Sequence, residues 1–249
     1  MEYLSLPVQA ALWGFVAGGA LLLGAAMGYF LNLSKMVSSS IMAFGIGVLI
    51  SALAFNLMDE AFKTAGSIAA TVGFVFGATL YGLANAFLSR SGAAGRKQSS
   101  AVTAGAAASI AIAIGSLLDG IPESAAIGIS LLDGEGVAFV TLLAIFISNV
   151  PEGLSSSVGM KAAGKSASYV FSIWGSIAVT CSVSALLGYL IIGQLGPFYI
   201  GAAIACAAGA IFVMLIDTMI PEAFDDIHAL SGPIAAAGFL FAFVASHAF

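Results

Sequence analysis

The chain has 249 residues, of which 61% are hydrophobic and only 8% charged. Its 7 Lys/Arg and 12 Asp/Glu cannot cover a water-soluble protein of this length, which carries roughly 25% charged residues. That excludes a soluble enzyme, a disordered chain and a nucleic-acid binder, which needs basic side chains against phosphates, and leaves a protein dissolved in lipid. Cys181 and Cys206 both lie in apolar segments, so no disulfide framework is expected. Glu2 and the lack of any base before Lys35 argue against a signal peptide.

A hydrocarbon core about 30 Å thick takes about 20 apolar residues per helix. Runs of that length fall near 8–30, 36–58, 67–88, 103–131, 136–160, 168–192, 198–222 and 232–248. They predict an all-α integral membrane protein with eight transmembrane helices in one domain, 1–249. The breaks between them carry turn residues or charge, as at Asn32–Lys35, Lys63–Gly66 and Gly193–Pro197. Alternate breaks hold Lys35, then Arg90, Arg96 and Lys97, then Lys161 and Lys165, whereas the other side holds only Lys63. Since cytoplasmic loops collect Lys and Arg, those three loops are expected in the cytoplasm, 89–100 being the longest. A multi-pass plasma (inner) membrane protein with both termini outside follows.

Two internal matches stand out. At an offset of 162, Gly47, Leu53 and Glu60-Ala61-Phe62 match Gly209, Leu215 and Glu222-Ala223-Phe224. At an offset of 29, Gly120-Ile121-Pro122-Glu123-Ser124 matches Asn149-Val150-Pro151-Glu152-Gly153 from its second residue onward, through Val/Ile-Pro-Glu. The matched spans run in opposite directions, so inverted repeats are expected, a construction used by secondary transporters with a midplane site.

An ionised side chain at mid-membrane costs several kcal/mol, about 3 or more. Asp119, Glu123, Glu152, Asp217 and Glu222 nevertheless fall in or at the ends of spans, and none has a Lys or Arg within its own span. Such carboxylates are protonated or bind a cation. Asp119 and Glu123 are spaced to share one face of the fourth helix, and Ser148 and Glu152 one face of the fifth, with Asn149 beside them. Pro122 and Pro151 kink these helices and free the carbonyls of Leu118 and Ile147. The combined donors suit a divalent cation held by oxygen.

These paired Pro-Glu helices resemble the ZIP (Zrt-/Irt-like) family of divalent metal transporters, whose fourth and fifth spans carry His-Asn-x-Pro-Glu-Gly-type motifs. Ile220-Pro221-Glu222-Ala223 is similar to the family's Leu-Pro-Glu-Ala ending. The resemblance implies import of a divalent metal cation as substrate, zinc first and iron, manganese or cadmium next, with no organic cofactor and no enzymatic activity. It implies metal ligands at Asp119, Glu123, Ser148, Asn149 and Glu152, with Cys181 on the sixth span, Asp217 toward the cytoplasmic exit and Asn56 on the second span. It also implies a homodimer, with membrane lipid as the other partner and no nucleic acid. The chain departs from the family at Asp119 and Ser148, where histidine is usual, and at Gly120, where asparagine is usual. Without imidazole, the oxygen donors shift preference toward manganese, iron(II) or magnesium, and a Cys181 ligand shifts it back toward zinc or cadmium.

Two other functions fit the same residues: a proton- or sodium-coupled carrier of a small solute, and a metal sensor or structural subunit that does not transport. Bland readings also apply. Carboxyls serve as interhelical hydrogen-bonding groups, Ser148 satisfies a carbonyl of its own helix, and Cys181 acts as a small apolar filler. Asp59 and Glu60 read equally as a solvated helix end or a cation entrance, and Glu222, Asp225, Asp226 and His228 as a solvated acidic loop. Gly14/Gly18, Gly24/Gly28 and Gly73/Gly77 are small-xxx-small faces for close helix packing.

Overall fold

The computed structural model describes residues 4–31, 33–88, 106–133 and 139–248. The expected cytoplasmic loop 89–100 and the loop around Glu135 lie outside the described residues. Among the described residues every regular element is helical: α1 (Leu6–Phe30), α2 (Lys35–Ala52), α3 (Met58–Leu88), α4 (Ala106–Ser130), α5 (Phe139–Ala162), α6 (Ala167–Leu187), α7 (Pro197–Met214), α8 (Ile220–Ile227) and α9 (Ser231–Ala248). Ser34 and Ser166 cap α2 and α6 by accepting from Val37 and Tyr169 N–H, and Pro197 starts α7.

Six helical runs among the described residues are long and apolar enough to cross a bilayer: Leu6–Phe30, Lys35–Phe87, Phe139–Ala162, Ala167–Ile192, Pro197–Asp225 and His228–Ser246. Their outer faces are studded with exposed Leu, Val, Ile and Phe, such as Leu23, Val75, Leu83 and Phe241. In water such surface would drive association, whereas lipid solvates it. The chain is therefore a multi-pass helical membrane protein.

The run Lys35–Phe87 holds 53 residues, roughly 80 Å at 1.5 Å per residue, far more than one crossing. It breaks at Gly66, where φ is 75° and ψ is −179°, a conformation open to glycine and strained for other residues. The second helix was expected to stop near 58. It instead continues to this glycine, because the π-helical turn Leu53–Leu57 inserts a residue without ending the helix. The seventh likewise runs past 222 to Ile227 through a second π turn, Leu215–Met219. These two turns stand at the same offset of 162 as the sequence match. A third π turn, Gly188–Ile192, extends α6.

The most extensive helix packing joins α3 to α7, α1 to α5 and α6, and α2 to α9; α2 also packs on α5, and α4 on both α6 and α7. All three glycine pairs seen in the sequence serve as close-approach faces. Gly14 and Gly18 lie on α6 at Cys181 and Ala178, Gly24 and Gly28 on α5 at Val150 and Leu154, and Gly73 and Gly77 on α7 at Ala202 and Cys206. From these registers α1 runs parallel to α5 and antiparallel to α6, and α3 runs parallel to α7. Gly47 meets α9 at Ala235, while its repeat counterpart Gly209 meets α3 at Phe74. Near the end of α5, Lys161 donates to the Tyr29 carbonyl at 2.6 Å, a cap on the last turn of α1.

Candidate metal centre

Helix α6 packs along α4 beside Pro122. The proline sits inside an uninterrupted α4, as Pro151 does in α5, and each removes one donor from its helix. Two α6 side chains reach the carbonyls beside Pro122: the Ser184 hydroxyl donates to Ile121 O at 2.9 Å, and the Cys181 thiol faces Gly120 O at 3.9 Å. Cys181 also bonds to Ser124 and lies within electrostatic reach of Glu123 and Glu152. Gly120 is explained by the same contact, because a Cβ there would stand 3.0 Å from Cys181 Sγ. Glycine at 120 and cysteine at 181 are complementary in volume.

Asp119 and Glu123 are 2% exposed and Glu152 is 7% exposed. Asp119 accepts a hydrogen bond from the Tyr81 hydroxyl of α3. Asn149 donates its amide to the Ala17 carbonyl of α1 at 3.0 Å, and its Oδ1 is the acceptor atom of that side chain. The Ser148 hydroxyl donates to Ile145 O at 2.9 Å, the bland reading, and offers only lone pairs to a ligand.

Asp217 stands apart from this centre. It is exposed, sits on the π turn after α7, and accepts from Asn85 Nδ2 at 3.1 Å. Asn56 occupies the other repeat-related π turn, and its Oδ1 is buried with no hydrogen-bond partner among the described residues. At the end of that helical run Asp59 pairs with Lys63 at 2.6 Å, both substantially exposed, which favours a solvated helix end. Glu222 is not part of a solvated loop, being 7% exposed on α8, whereas Asp225 and His228 are exposed.

The side chains as placed bring no three His, Cys, Asp or Glu groups within reach of one metal ion among the described residues. Asp119 is turned toward Tyr81 and Asn149 toward Ala17. The sequence reading missed Tyr81 and Asn85. They stand one turn apart on α3, and the signal available was a pair of polar residues four apart in an apolar span. It also missed Ser116 and Ser156, which fall on the helical faces of Asp119 and Glu152 and whose buried hydroxyls have no hydrogen-bond partner among the described residues. In comparisons with known families and curated proteins, no family model and no curated protein matches the chain.

Proposed function

We propose that the chain is a membrane transporter importing a divalent metal cation through the carboxylates of α4 and α5. The observation that carries this reading is the burial of Asp119, Glu123 and Glu152 on two Pro-containing helices inside an apolar helical protein. Burying carboxylates in lipid-dissolved helices is expensive, and a divalent ion offsets the cost directly. Rotation of Asp119 away from Tyr81, with the Asn149 and Ser148 oxygens, completes a set of oxygen donors plus one sulfur. The ZIP resemblance favours zinc, and the oxygen donors also suit manganese and iron(II).

The architecture we infer has eight crossings. Helices an even number of crossings apart, α1 with α5, are parallel, and those an odd number apart, α1 with α6, are antiparallel, as alternating passage requires. Taking the Lys35–Phe87 run as two crossings and α7–α8 as one, the pairing of α2 with α9 corresponds to that of α7 with α3 under the repeat. The matched π turns fit the same inverted relation. Sliding or rocking of one group of helices against another would expose the site alternately to each side, with Asn56 on the outer approach and Asp217 on the inner exit. Uptake of radiolabelled zinc or manganese into proteoliposomes should occur with the native chain and vanish in the Glu123→Ala/Glu152→Ala double variant. Equal uptake by both would overturn the reading.

A further inference from the structure

A serine or threonine inside a helix ordinarily donates its hydroxyl to a carbonyl one turn back. Ser130, Ser148 and Thr218 do so, at 2.9, 2.9 and 2.6 Å. Ser116 of α4 and Ser156 of α5 do not. They are 1% and 2% exposed, and neither hydroxyl has a hydrogen-bond partner among the described residues. An unpaired hydroxyl in an apolar interior is costly. Both stand beside the buried carboxylates. Ser116 is three residues before Asp119 and Ser156 four after Glu152, spacings that share a helix face. Each hydroxyl thus lies within about one turn, roughly 5 Å along the axis, of a carboxylate to which it does not bond. Thr141 carries a third such hydroxyl, but it lies eleven residues before Glu152, too far along α5 to share a ligand with it.

We propose that Ser116 and Ser156 hold water molecules of the cation's own shell, so that the α4 and α5 carboxylates take a hard, partly hydrated divalent ion such as Mn²⁺. The proposal rests on the cation reading of that site and names the kind of cation. Serine is two carbons shorter than glutamate, so its hydroxyl stays close to the helix. An ion held at the tips of Glu123 and Glu152 stands further out, and one water spans the difference. A hydroxyl suits that place because it both donates to and accepts from water. Hard ions of the manganese and magnesium kind keep bound water, whereas zinc and cadmium favour few, softer ligands. The two hydroxyls therefore stabilise an ion that arrives with water and contribute nothing to one bound dry.

The test uses the full chain in nanodiscs, with Mn²⁺ alone and Cd²⁺ alone as probes. Fully bound Mn²⁺ should show electron spin resonance lines broadened in H₂¹⁷O, the sign of water on the ion. In the double variant Ser116→Ala/Ser156→Ala, Mn²⁺ binding should weaken about tenfold, as loss of hydrogen bonds beside a charge implies. Cd²⁺ binding should hold within about twofold. Without metal the variant should melt no lower than the native chain, because alanine removes hydroxyls that have no protein partner. Unchanged Mn²⁺ binding, equal losses for both ions, native lines unbroadened by H₂¹⁷O, or a lower metal-free melting temperature each overturn the hydration role. Loss of both ions in Glu123→Ala/Glu152→Ala alongside such a result leaves the cation reading standing without it. A native chain that binds neither ion overturns the cation reading and the hydroxyl role together.

Discussion

Asp119, Glu123 and Glu152 are the buried carboxylates on which the proposed cation site rests. Tyr81 holds Asp119, while Cys181 stands within reach of both glutamates. Neutralising either glutamate as Glu123→Gln or Glu152→Gln keeps its volume and removes its charge, so metal uptake at fixed protein should fall at least tenfold, each step of 1.4 kcal/mol being tenfold in an equilibrium constant. Cys181→Ser replaces a soft donor by a hard one. Competition assays should show the preference for cadmium over manganese falling by about tenfold; an unchanged preference would reduce the thiol to a filler against Gly120. The carboxylates were legible in the sequence because charge is conspicuous in an apolar chain. Tyr81 and Asn85 were not, since a neutral donor in a span carries no such flag and its partner lies on a distant helix.

At the scale of the helices, hydropathy located the apolar helical runs, six of them long enough to cross a bilayer among the described residues, and the small-residue pairs identified contact faces. The ends of the second and seventh helices were not legible. A π turn has no composition of its own, and Leu53–Leu57 and Leu215–Met219 differ in sequence beyond their first residue. The close approaches give a direct check. A Cβ on Gly24 would stand 2.0 Å from the Val150 carbonyl oxygen, whereas one on Gly19 meets nothing within 4 Å. Gly24→Ala should therefore force α1 from α5 and cost about 1–3 kcal/mol, as overpacking does. Gly19→Ala should be neutral or stabilising by up to about 1 kcal/mol, the helix-propensity gain. Thermal unfolding in one detergent compares the two; equal melting temperatures would contradict the α1–α5 packing.

For the whole molecule, the scarcity of charge identifies a solvent and its distribution suggests a function. The described lysines sit at helix ends, as at Lys161 against Tyr29, while acidic side chains occupy the interior of the α4–α5–α6 bundle. In the proposed function these buried carboxylates are the place where a cation cargo would bind. The most direct measurement is the anomalous diffraction of crystals grown with zinc. The expected result is a peak between α4 and α5 with Glu123 and Glu152 oxygens about 2.0–2.2 Å away, absent from crystals of Glu123→Ala/Glu152→Ala. A native crystal with no peak there, its carboxyls hydrogen-bonded to one another, would contradict cation transport through this site.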